Sequence, residues 1–122
     1  MYFDTLKFLA KGGRIGKAQG LLGALLSFKP ILTMKDGEVS PVTRVRSRNA
    51  GLEYLYNHAA AFTKVEKMAV EYATTPEDAD QLIKRLSSIF PKVTIYKSTI
   101  GSVVGTYAGP GVVAVTVLEA EK

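Results

Sequence analysis

Apolar residues recur along this chain in two rhythms, one with spacings of three and four and one of strict alternation. Over residues 4–11, Leu6, Leu9 and Ala10 share a face, which predicts a short helix stopped by Gly12-Gly13. Ile15, Ala18, Leu22 and Leu25 then recur at helical spacing and predict a second helix over about 14–28. Gly16, Gly20 and Gly23 fall near one another on it and leave a strip without side chains. An interior glycine costs about 1 kcal/mol against alanine, so the strip implies a close neighbour, either a backbone or an extended ligand.

Two β-rich runs, 30–34 and 39–45, flank Asp36-Gly37, a strong hairpin signal. Ser47 is placed to cap a helix running to about residue 64, with Leu52, Leu55, Ala59 and Phe62 on its buried face. Residues 68–74 alternate as a strand. Thr75-Pro76-Glu77-Asp78 then reads as a helix start, with a hydroxyl cap, a proline in the first turn and two acids at the positive end. That helix buries Ala79, Leu82, Ile83 and Leu86 and ends at Pro91. A strand at 92–98, a turn or short helix at 100–108, the breaker Gly109-Pro110-Gly111 and a last strand at 112–118 complete the chain. The order predicts an α/β fold, a mixed β-sheet with packed helices in a single domain over 1–122, and leaves strand order open.

Composition narrows the chemistry. Of 122 residues, 47% are hydrophobic and 22% charged, enough to close a core. With no cysteine and one histidine, the chain has no thiolate metal site, no cysteine nucleophile and no metalloprotease motif; no metal and no cofactor are expected. The apolar run at 18–28 is shorter than the ~20 residues that span a bilayer. It starts too far into the chain for a signal peptide, so a cytoplasmic location is expected.

The net charge of +5 admits an anionic partner. Gly12 to Lys17 does not fit a phosphate-binding P-loop, because Lys11 stands where a glycine is needed and Ala18 where a hydroxyl is needed. Arg44, Arg46 and Arg48 alternate and project on one side if the strand continues. Spacing alone favours a solvated edge over nucleic acid, since no aromatics interleave with them, and over capture of a carboxylate or phosphate. His58 sits beside the apolar helix face and reads as structural. Tyr107, next to a rigid glycine-proline loop, reads as a packing residue that is also a placed donor. Asp4, Asp36 and Asp78 take turn or cap roles, and no triad or carboxylate dyad can be assembled. The chain does not read as a self-sufficient enzyme.

Two separated segments carry a resemblance. DTLKFLAKGGRIGKAQGLLGALLSFKPILTMKDGEVSPVTRVRSR and IGSVVGTYAGPGVVAVTV resemble, in order and spacing, segments of the C-terminal lobe of the DegV family. These are bacterial fatty-acid-binding proteins that serve as the lipid-carrying subunit of fatty acid kinase. The resemblance implies a two-lobed whole, with an acyl chain largely in this lobe, its carboxylate between lobes, and a partner kinase that phosphorylates it for phospholipid synthesis. The N-terminal lobe has no counterpart here. Arg14 matches the arginine of the GGRI motif and Arg46 that of the KVR motif, while Tyr107 stands where the family usually has a histidine. Leu22, Leu25, Leu26, Phe28, Ile31 and Leu32 are the candidate walls of an acyl tunnel. The implied function is a non-enzymatic lipid-binding module. The alternatives are a structural, self-associating lobe without ligand binding, and polyanion binding through the basic cluster.

Overall fold

The computed structural model describes residues 1–24 and 28–121. Asp36 and Gly37 take φ values of 52° and 81°, the left-handed pair that a tight two-residue hairpin turn requires. The turn joins β1 (Lys29–Lys35) to β2 (Glu38–Val45) in antiparallel register. Pro41 stands opposite Leu32 at a bulge, where its missing N–H costs nothing on an outer strand. A second group of strands has the order β4-β3-β5: β3 (Val65–Tyr72) pairs parallel with β4 (Thr94–Thr99) and antiparallel with β5 (Val113–Glu119).

Among the described residues, Tyr2 joins the two groups. Tyr2 bridges Ile31 on one side and Val113 on the other, both antiparallel. Its N–H donates to the Val113 carbonyl at 2.8 Å and its carbonyl accepts from the Val113 N–H at 3.1 Å. On the β1 side, Leu32 N–H donates to the Met1 carbonyl at 2.9 Å and Phe3 N–H to the Pro30 carbonyl at 3.2 Å.

Because successive strand residues point to opposite faces, the three neighbouring pairs at this seam split between two apolar layers. Tyr2, Ile31 and Val113 join Leu55, Met68, Val70, Leu82 and Leu86 beneath α2 (Arg48–Ala60) and α3 (Pro76–Ile89). Phe3, Leu32 and Val112 join Leu6, Leu9, Ala18 and Ala108 on the other layer, with α1 (Lys7–Lys11), a 3-10 helix (Gly16–Ala24) and α4 (Ser102–Ala108).

Four expectations are corrected. The helix expected over 14–28 is a 3-10 helix over Gly16–Ala24, and Gly16 begins it at φ 56°, outside the α-helical region. Of the glycine strip, only Gly16 has a close neighbour, the backbone of Val39; an added Cβ at Gly20 or Gly23 would meet open space. The helix expected to reach about residue 64 ends at Ala60, although Ser47 caps it as expected, accepting from the Ala50 N–H at 3.1 Å. Finally, Thr75 makes no side-chain cap at α3, because its hydroxyl accepts from Arg48 at 2.8 Å instead.

Candidate functional site

The Gly109-Pro110-Gly111 loop follows α4 and carries positive φ at both glycines, 82° and 81°. Both positions are also closed to a side chain. An added Cβ at Gly109 would run into the Phe8 ring, and one at Gly111 into the Asp4 carboxylate. The Gly111 N–H donates to the Thr74 hydroxyl at 3.0 Å, and its carbonyl accepts from Arg48 Nη1 at 2.8 Å. Arg48 also donates to Asp4 and twice to Asp78, and its guanidinium lies 5.2 Å from the Tyr2 ring centroid. Burial disfavours the Arg48 charge, but hydrogen bonding and attraction from Asp78, then Asp4, outweigh it and raise its pKa. Burial, then the hydrogen bond to Asp4 at 2.6 Å, pushes the Tyr2 phenol well above its ordinary value.

This cluster anchors the loop that follows α4, whose last turn carries Tyr107. The Tyr107 ring is half-buried against the second apolar layer and presses on Gly12, where an added Cβ would collide with it. Arg14, directly after Gly12-Gly13, lays its guanidinium 5.4 Å from the Tyr107 ring centroid and donates to the Gly12 carbonyl at 3.2 Å. Arg14 is exposed and borders a cleft of about 230 Å³ with Gly16, Met34, Gly37 and Val39. A cation and a phenol thus meet at the rim of an apolar layer, an arrangement able to hold one anionic head group beside an apolar body.

The other candidate residues gather elsewhere. Arg46 and Arg44 both lie over the Phe28 ring, at 6.0 and 5.0 Å from its centroid. Leu22 is 40% exposed on the 3-10 helix. Ile31 is buried in the first layer and borders a cleft of about 190 Å³ with Tyr54, Leu55 and His58. Leu32 is buried in the second layer. Leu25 and Leu26 lie outside the described residues. The structure therefore pairs Arg14 with Tyr107 and Arg46 with Phe28. His58 is exposed, stacked on Tyr54 and edge-on to Phe62. Among the described residues, no group of His, Cys, Asp or Glu is placed to hold a metal ion, and no helix is long and apolar enough to cross a membrane.

Sequence reading missed Arg48 as the hub. Alternation had grouped it with Arg44 and Arg46, but β2 ends at Val45, and Arg48 opens α2 and turns inward to two aspartates. The one available signal was an arginine directly after a capping serine, where the positive end of a helix disfavours a cation unless carboxylates answer it.

Two apolar layers around a shared seam define the class of fold, and known proteins share that fold. A family model described as "Uncharacterised protein, DegV family" matches residues 1–120. A DegV domain-containing protein of Streptomyces coelicolor is 37% identical over 120 residues, covering 95% of this chain and 42% of its own. DegV from Bacillus subtilis, described as a fatty acid binding protein, superposes with a TM-score of 0.78 at 32% identity, over 93% of this chain and 42% of its own. A DegV family protein from Thermus thermophilus, studied for fatty acid binding, gives a TM-score of 0.84 at 28% identity, over 98% and 44%. The chain belongs to the DegV family. It spans about two fifths of the length of these relatives.

Proposed function

We propose that this chain is a fatty-acid-binding module, not itself an enzyme, that holds a long-chain acid for a partner kinase to phosphorylate. The observation that carries the reading is the Arg14–Tyr107 pair at the edge of the second apolar layer, in a fold shared with relatives described as fatty acid binding. In this reading the acyl tail enters the layer around Phe3, Leu9, Leu32 and Val112. Tail burial is worth about 0.8 kcal/mol per methylene, so it supplies most of the affinity. Arg14 and the Tyr107 hydroxyl orient the carboxylate, with charge-assisted bonds offsetting the cost of removing it from water. Arg46 on Phe28 is the second candidate cation. Among the described residues, the 3-10 helix contributes only Ala18 to the buried members of that layer, and in this reading it moves to admit the tail. The kinase step rests on the motif resemblance; the chain's own residues bind and present.

Native mass spectrometry of the purified protein, followed by organic extraction, tests the reading. A stoichiometric fatty acid is expected, and free acid should bind more tightly than its methyl ester. Equal binding of acid and ester removes the arginine role. A protein that carries no lipid and takes up none overturns the function.

One observation favours a second reading, a self-associating lobe. Val103 and Val104 on α4 are 74% and 59% exposed, a pair of apolar side chains that association would cover. Light scattering across a concentration series separates this reading, since it expects dimers whether or not lipid is added.

A further inference from the structure

Glu71 sets a carboxylate on the face of the sheet that carries the second apolar layer. Residues along β3 and just past it alternate between faces. Met68, Val70 and Tyr72 pack with the first layer, while Ala69, Glu71 and Ala73 share the other face. Ala73 packs in the second layer with Val112 and Ile100. One step further in, the ladders set Glu71 between Ala114 of β5 and Ser98 of β4. β5 separates Glu71 from the Met1–Phe3 segment, so its position is fixed by β3, β4 and β5.

The two carboxylate oxygens differ. Oε1 accepts from the Thr116 hydroxyl at 3.0 Å, whereas Oε2 is buried and has no hydrogen-bond partner. Its neighbours on that face have no donor to give. Ala69, Ala73 and Ala114 lack one, the Ser98 hydroxyl donates to the Thr99 carbonyl, and the Met1 nitrogen donates to the Leu32 carbonyl at 2.8 Å. A buried acceptor without a donor is costly, and more so when it carries charge.

This inference rests on the fatty-acid-binding reading, in which the tail lies beside Val112. α4 leads from the end of β4 to the start of β5, both at the Tyr72 end of β3. Tyr107 therefore stands beyond Ala73, and Glu71 lies about 7 Å deeper along the strand than Ala73. A plain methylene chain passing there would cover Oε2 and bond nothing to it. A hydroxyl supplies the missing donor and is neutral, whereas an ammonium would carry a second charge into an apolar layer. We propose that Glu71 selects a long-chain acid bearing a mid-chain hydroxyl, which donates to Oε2 while Thr116 holds the carboxylate by its other oxygen. A site built to bond a hydroxyl rejects the analogue that lacks it, because its own polar group is then left unpaired.

The test is isothermal titration at pH 8 of the whole chain and of Glu71→Leu with three acids: oleate, ricinoleate (oleate with a mid-chain hydroxyl) and the corresponding mid-chain ketone. The parent is expected to bind ricinoleate roughly tenfold tighter than oleate or more. It should bind the ketone no tighter than oleate, because a ketone accepts but cannot donate. Glu71→Leu should reverse the preference and bind oleate the more tightly. The ketone comparison is made on the parent and stands even if Glu71→Leu does not fold. A parent that binds oleate as tightly as ricinoleate overturns the proposal and leaves the lipid reading intact, as does a ketone that matches ricinoleate. A preference for ricinoleate that survives in Glu71→Leu also overturns it. Binding of none of the three acids overturns both.

Discussion

The guanidinium of Arg48 places two donors on one oxygen of Asp78, Nε at 3.0 Å and Nη2 at 2.6 Å. That grip ties the first turn of α2 to the first turn of α3. The remaining face of the same guanidinium holds the Asp4 carboxylate and the Gly111 carbonyl. Arg48→Ala would strand two carboxylates and a carbonyl that are each only partly open to water. Discounted for that exposure, the loss is about 2–3 kcal/mol in urea unfolding. Arg48→Lys keeps the charge but lacks the fork, and should recover less than half of the loss. A lysine variant as stable as the parent contradicts the geometry.

Gly111→Ala faces two penalties, a φ of 81° and a Cβ directed into the Asp4 carboxylate. A destabilisation of about 2–4 kcal/mol is expected. The steric share is separable: in an Asp4→Ala background the added cost of Gly111→Ala should fall by at least 1 kcal/mol in a double-mutant cycle.

Arg14→Gln should weaken binding of a free long-chain acid about tenfold, leave its methyl ester unchanged and barely move the melting temperature, because Arg14 is exposed. The same titrations on Arg46→Ala compare the two cations. A tenfold loss for Arg46→Ala with none for Arg14→Gln moves the carboxylate to the Phe28 side.

Tyr107→His introduces a group that gains charge as pH falls. Acid binding should strengthen below about pH 6.5 in this variant and show no such step in the parent. Isothermal titration at pH 5.5 and 8 reads the difference.

Burial, opposed by the Thr116 hydroxyl, raises the Glu71 pKa, and one of its buried oxygens has no hydrogen-bond partner. A carboxyl whose pKa rises on folding binds more protons folded than unfolded. Stability therefore falls as pH climbs from the ordinary value of 4.5 through the raised one. Glu71→Gln should be more stable than the parent at pH 8, with the gap closing by pH 3.5. A gap that is constant with pH would show that the effect is packing rather than charge.

Local chemistry made most elements legible from sequence. Asp36-Gly37 announced its hairpin, Ser47 its helix and Pro76 the first turn of α3, because each acts within four residues. What stayed hidden depends on partners far along the chain. Arg48 answers Asp4 and Asp78, at separations of 44 and 30 residues, and nothing in the local pattern links them. The strand order was unreadable for the same reason, since it turns on Tyr2, one residue that pairs twice. At the candidate site, motif resemblance singled out Arg14 and Tyr107, and no periodicity could have predicted that the cation would lie on that ring. The glycine-rich stretch misled because spacing suggested an α-helix where Gly16 enters in a left-handed conformation.

A sheet continuous through one residue does not share its stability evenly. The hairpin of β1 and β2 is bound to the rest of the sheet by the few hydrogen bonds of Met1–Phe3, whereas β3 is laddered along both sides. Opening at Tyr2 would release the hairpin and its 3-10 helix while β3, β4, β5 and α3 stay folded. Such a partial opening needs only a fraction of the global unfolding free energy. Under the proposed fatty-acid-binding function, this seam is the hinge through which an acyl tail beneath the hairpin would enter and leave.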